Sequence, residues 1–66
     1  MNDIQSMLRS YLTKRDGCIA RDGKAMTRVA GRTGYSVEAL RSFAYGRRQP
    51  QDDPRLKVLR GMVRRG

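Results

Sequence analysis

Between Val29 and Phe43 the apolar residues keep helical spacing on either side of a break at Gly34-Tyr35-Ser36. That break limits the folds open to this chain more than any other feature. Glycine takes a positive φ without strain and lets a backbone change direction within a residue or two. A serine just after it is a helix N-cap, its hydroxyl accepting from an orphan N–H of the first turn. Glu38 then sits where a carboxylate suits the positive end of the helix dipole. The stretch predicts two helices meeting across a tight turn, with the small Ala30 allowing close approach and Val29, Tyr35, Leu40 and Phe43 filling the angle between them.

The rest of the chain supplies two more helices and no strand. Turning 100° per residue from Leu40 puts Val37, Leu40, Phe43 and Ala44 on one side of the helix begun by Ser36, and Glu38, Arg41, Ser42 and Tyr45 on the other. Gly46 is placed to end it in the left-handed conformation. In the helix before the turn, opened by Asp22 or Gly23, Ala25, Met26, Val29 and Ala30 point inward while Lys24, Arg28 and Arg32 face water. Gly31 within it costs about 1 kcal/mol relative to alanine, so packing must hold that helix. At the N-terminus Asn2 or Asp3 caps a first helix carrying Ile4, Met7, Leu8, Tyr11 and Leu12 along one stripe and ending near Lys14. Asp16-Gly17 and Asp22-Gly23 are turn dipeptides, and the residues between them are expected to be loop. Asp53 followed by Pro54 is a strong helix start. The helix it opens bears Leu56, Leu59, Met62 and Val63. The expected fold is a single all-α, four-helix domain over residues 1–66, with a helix-turn-helix at about 24–45 and a C-terminal helix at about 54–64.

Charge narrows the partners. Fifteen Lys and Arg against six Asp and Glu leave a net charge of +9 on 66 residues. Such a charge repels itself in the compact state, and a polyanion relieves it, nucleic acid first among candidates. With no His and one Cys, Cys18, there is neither a zinc ligand set nor an internal disulfide. Cys18, beside Ile19 and Ala20, is expected to pack as a small hydrophobe. No metal, cofactor or small-molecule ligand is expected. Nor is catalysis, because the scattered carboxylates show no paired spacing for acid-base work. No apolar run approaches the roughly 20 residues that cross a bilayer, and no signal-peptide core is visible. The expectation is a cytoplasmic protein without a membrane partner.

The stretch "VAGRTGYSVEALRSFAYG" resembles the helix-turn-helix of the lambda repressor and Cro family in its small residue Ala30, turn glycine Gly34, apolar Tyr35, and core positions Leu40 and Phe43. The following "GRRQP" is similar to that family's glycine-and-basic loop. The likeness covers about a third of the chain. Tyr35 is bulkier than the usual aliphatic, Met26 stands where many members carry a polar DNA-touching residue, and one helix follows the motif where repressors commonly have two. The resemblance implies a small phage-type regulator, a Cro-like repressor in a bacterial host, associated with the nucleoid and acting by occlusion.

If the helix begun by Ser36 lies in a major groove, Arg41 pairs with guanine O6 and N7, Glu38 accepts from cytosine N4, Ser42 donates or accepts, and Val37 rests on a thymine methyl. Lys24, Thr27, Arg28, Tyr45, Arg47 and Arg48 are then candidates for phosphate, the first three with help from N–H groups at their helix's start. One recognition helix reads few base pairs, so a homodimer on a palindromic operator is expected. Leu56, Leu59, Met62 and Val63 either pair with a second copy or fold back on the first helix. Two other readings remain: a basic protein that binds DNA or RNA without sequence choice, and a helical module that binds or inhibits a protein.

Overall fold

Local signals and the apolar stripes together account for each element. In the computed structural model, which describes residues 3–65, the elements are α1 (Asp3–Asp16), α2 (Lys24–Thr33), α3 (Val37–Tyr45) and α4 (Pro54–Arg65). Among the described residues there is no strand. The alternative first cap, Asn2, lies outside them. The small all-α, four-helix class expected from the sequence is the class observed.

α1 runs two residues past the expected end. Gly17, at φ +82°, donates its N–H to Thr13 O at 2.9 Å and stops the helix one residue after Asp16. The segment 17–23 is irregular, with a turn closed by Gly23 N–H to Ala20 O at 3.3 Å. Cys18 is exposed there, which corrects the expectation that it packs; its neighbours Ile19 and Ala20 are half-buried instead.

Across the central turn, Gly34 takes φ +89° and its N–H bonds to Ala30 O at 3.0 Å. Ser36 Oγ accepts from Ala39 N–H at 3.1 Å. At the far end of α3, Gly46 has φ +78°. Two features reinforce the turn beyond these local devices. Thr33, buried at the end of α2, donates to Val29 O at 2.7 Å and accepts from Tyr35 N–H at 3.2 Å, so it spans the reversal through one hydroxyl. The Tyr35 ring meets Phe43 edge to face, with centroids 5.1 Å apart.

One core collects the stripes. Ile4, Leu8, Tyr11 and Leu12 of α1 meet Ala25, Met26 and Val29 of α2, Leu40, Phe43 and Ala44 of α3, and Leu56, Leu59 and Val63 of α4. Of the two alternatives left open for the α4 stripe, the single chain shows the fold-back: Leu56, Leu59 and Val63 are buried in its core, with Met62 half-buried against it. A domain of this size exposes much of its surface even when folded and needs every apolar stripe it has. α3 packs on α1 and α2, and α4 packs on α1 and α2 from elsewhere without touching α3. The outer face of α3 therefore stays uncovered by the C-terminal helix.

Candidate nucleic-acid interface

Three neighbouring pieces build the site: the loop before α2, the outer face of α3, and the basic loop after it. Ser36 and Gly34 set where α3 begins, and the core side of α3 fixes its rotation. Glu38, Arg41, Ser42, Tyr45 and Arg47 then line a shallow depression of about 180 Å³ on the outside.

These side chains are already organised. Glu38 Oε1 is 2.7 Å from Arg21 Nη2 and 3.6 Å from Arg41 Nη1, so one carboxylate holds a cation from the loop and lies near another on its own helix. Both partners of the shorter pair are well exposed, and its contribution to stability is correspondingly small. The Arg41 side chain is 31% exposed, and its Nε is buried without a protein hydrogen-bond partner. The Nη groups, with Glu38 Oε1 at 3.6 Å as their carboxylate neighbour, keep donor capacity that the fold does not use, whereas the buried Nε is closed to a ligand. Tyr45 is 47% exposed and stands between two guanidiniums, with Arg41 Cζ 6.0 Å and Arg47 Cζ 5.7 Å from its ring centroid. Both distances are within cation–π reach. Arg48 is exposed beyond it. The loop 46–48 is tied to α3 by Arg47 N–H and Arg48 N–H, which reach Ser42 O at 2.9 and 3.4 Å.

The candidate base-readers thus divide. Arg41 and Ser42 are half-buried on the outer side of α3, Glu38 is exposed and engaged by Arg21, and Val37 is half-buried against the core. Arg21 was not a site candidate in the sequence. Its link to Glu38 spans seventeen positions, and no local pattern signals a contact of that kind.

At the start of α2 the structure corrects one expectation. Lys24, Thr27 and Arg28 are exposed, but the N–H groups offered to a phosphate are taken. Asp16 Oδ1 accepts from Ala25 N–H at 3.0 Å and Asp16 Oδ2 from Met26 N–H at 3.3 Å. Gly23, the residue at the cap position, makes no side-chain cap bond. The last residue of α1 thus caps α2 from nine positions away, and its negative charge occupies the place an anion would take. Thr27 Oγ1 is likewise committed to Gly23 O at 3.0 Å. Only the Lys24 and Arg28 side chains remain for phosphate on that side.

The turn is also fastened to α4. Asp53 Oδ1 accepts from Arg55 N–H at 2.9 Å and Leu56 N–H at 3.2 Å, and Asp53 Oδ2 from Arg55 Nη2 at 2.9 Å. The Tyr35 hydroxyl lies 3.5 Å from Asp53 Oδ1, and Arg55 Cζ is 4.5 Å from the Tyr35 ring centroid. The Arg55 guanidinium, with the backbone N–H groups, holds the Asp53 carboxyl below its ordinary range. Burial, and after it the charge of Asp53, pushes the Tyr35 phenol up.

No group of His, Cys, Asp and Glu suited to a metal ion occurs among the described residues. No described helix is long and apolar enough to cross a membrane. No protein-family model, curated protein or solved structure matches the chain.

Proposed function

We propose that this chain is a sequence-specific double-stranded DNA-binding regulator of transcription, a phage-type, Cro-like repressor that works by occluding the site it occupies. One observation carries the proposal. The face of α3 left uncovered by α4 presents Arg41, Ser42 and Tyr45 together, on a helix whose start is set by the Gly34-Tyr35-Ser36 turn.

In this scheme α3 enters the major groove and Arg41 is the principal base-reader, its two parallel donors matching guanine O6 and N7. Glu38, held by Arg21, orients Arg41 and repels misplaced phosphate. Ser42 supplies a second polar contact, and Val37 touches a thymine methyl only at its exposed edge. Tyr45, Arg47 and Arg48 hold phosphates at the end of α3, and the Lys24 and Arg28 side chains of α2 hold them on the other side, Thr27 being committed to Gly23 O. With a net charge of +9, a large share of the affinity comes from counterion release and falls steeply with salt. A palindromic operator seats two copies about 34 to 36 Å apart. Because the α4 stripe is internal, any contact between the copies uses another surface. Such a protein works in the bacterial cytoplasm, on the nucleoid.

Selection of bound sequences from a random duplex pool tests the proposal. Enrichment of a two-fold symmetric consensus, bound more tightly than random duplex at every salt concentration, is the expected result. Absence of enrichment, with one affinity and one salt slope for all duplexes, refutes it. The +9 charge then favours the second reading, a nucleic-acid-binding protein without sequence choice.

A further inference from the structure

Away from the outer face of α3, the ends of α1 and α2 and the side of α4 enclose a groove of about 410 Å³. Its rim is Arg15, Arg28, Arg32 and Lys57, and Val58, Gly61 and Met62 form its apolar side. Among the described residues none of the four cations has an ion-pair partner. Arg28 and Arg32 are one helical turn apart, so like charges face each other and are relieved only from outside. Val58 is 43% exposed, one of two large hydrophobic residues so exposed among the described residues, and it lies on this groove.

From this arrangement we infer that the groove docks an acidic amphipathic segment of another protein, with carboxylates on the four cations and an aliphatic side chain against Val58 and Met62. Its charge calls for an anion, and the apolar side calls for an anion that also carries hydrocarbon. A phosphate backbone meets only the first requirement. A nucleic-acid base stacked on Tyr11 would meet the second, but Arg15 Cζ already lies 4.1 Å from that ring's centroid and covers a face. A second copy of this chain is also a poor occupant. Asp16 is committed to capping α2, Glu38 to Arg21, and Asp53 to Arg55 and the start of α4, while the exposed Asp22 and Asp52 sit on separate loops, so no helix of the copy offers a stripe of carboxylates. Of the groove residues Arg28 alone also has a phosphate role in the DNA-binding proposal; the inference stands on Arg15, Arg32, Lys57 and Val58, to which that proposal assigns none.

The test uses a labelled synthetic helical peptide, glutamates on one stripe and leucines on the other, titrated with the intact protein by fluorescence anisotropy. Its counterpart carries serines in place of leucines. The leucine peptide is expected to bind the more tightly. Val58→Ser, which leaves the charge unchanged, lowers its affinity roughly fivefold without changing affinity for random duplex DNA. Arg32→Gln with Lys57→Gln lowers peptide affinity about tenfold more than Arg9→Gln with Arg60→Gln, an equal loss of charge outside the groove. Circular dichroism of each variant verifies the fold; these exposed positions lie outside the core. Equal binding of the two peptides, or equal effects of the two glutamine pairs, overturns the inference. So does a Val58→Ser variant that binds the peptide unchanged. Random-duplex affinity that falls as far as peptide affinity in the groove variants assigns the groove to phosphate and overturns it as well.

Discussion

Gly23 and Asp16 offer a test in which the cost of one substitution depends on the other. An alanine at Gly23 is acceptable to the backbone, which has φ −66° and ψ 148° there. Its Cβ, however, would lie on the Asp16 carboxylate, 2.7 Å from Cγ and 3.3 Å from Asp16 Cβ. Asp16 is short and bonded to both Ala25 N–H and Met26 N–H, so it cannot yield without giving up the cap. Losing a helix cap costs about 0.5 to 2 kcal/mol, with charge-assisted bonds at the upper end. Asp16→Ala is therefore expected to cost about 2 kcal/mol, and Gly23→Ala about 1 to 2. In the Asp16→Ala background the obstruction is gone. Gly23→Ala then gains about 0.4 to 1 kcal/mol from the stiffer unfolded chain and loses a similar amount as a poorer cap residue, and should fall near neutral. The coupling in the double-mutant cycle is thus about 1 to 2 kcal/mol. For a domain of this size each kcal/mol shifts Tm by about 4 to 8 °C, well within reach of thermal and urea denaturation followed by circular dichroism. Asp22→Ala, in the exposed loop, is the control. Additive effects of Asp16→Ala and Gly23→Ala, or an Asp16→Ala variant no less stable than Asp22→Ala, would refute a cap delivered from α1.

Four further outcomes follow from the geometry. Arg41→Ala should weaken binding to the selected operator by about 1 to 3 kcal/mol and relax preference at one base pair, whereas Arg48→Ala should weaken all duplexes alike and reduce the salt slope by about one; competition binding with single-base operator variants separates the two. Leu59→Ala, at a fully buried position, should cost about 2 to 5 kcal/mol with a Tm independent of protein concentration; a Tm that rises with concentration would restore α4 to a dimer seam. The lowered folded pKa of Asp53 contributes stability that is fully present above the ordinary carboxylate value of 3.8 and lost as pH falls through the folded value, so Asp53→Asn should flatten the acid limb of a stability–pH profile. The raised Tyr35 value acts oppositely, its contribution present below 10.0 and lost as pH rises through the folded value, and Tyr35→Phe should remove that alkaline loss.

The sequence by itself determined the main turn and cap devices, which depend on neighbours within four residues. Gly34 and Gly46 in the left-handed conformation, the Ser36 hydroxyl on Ala39 N–H and the Asp53 carboxylate at the start of α4 are local devices, each legible from residue type and spacing. So was the division of α3 into a core side and a polar side, because its angular period is a property of the helix alone. Tertiary structure decided everything that required two segments to meet. Only the folded chain places Asp16 on the N–H groups of α2 and Arg21 on Glu38, and only it shows the α4 stripe turned inward. The same holds for the groove, whose cations are scattered along three helices and read in the sequence as an ordinary solvated surface. Apolar periodicity says which side of a helix avoids water; it carries no information on which surface covers that side, because burial is non-directional and any complementary face will serve.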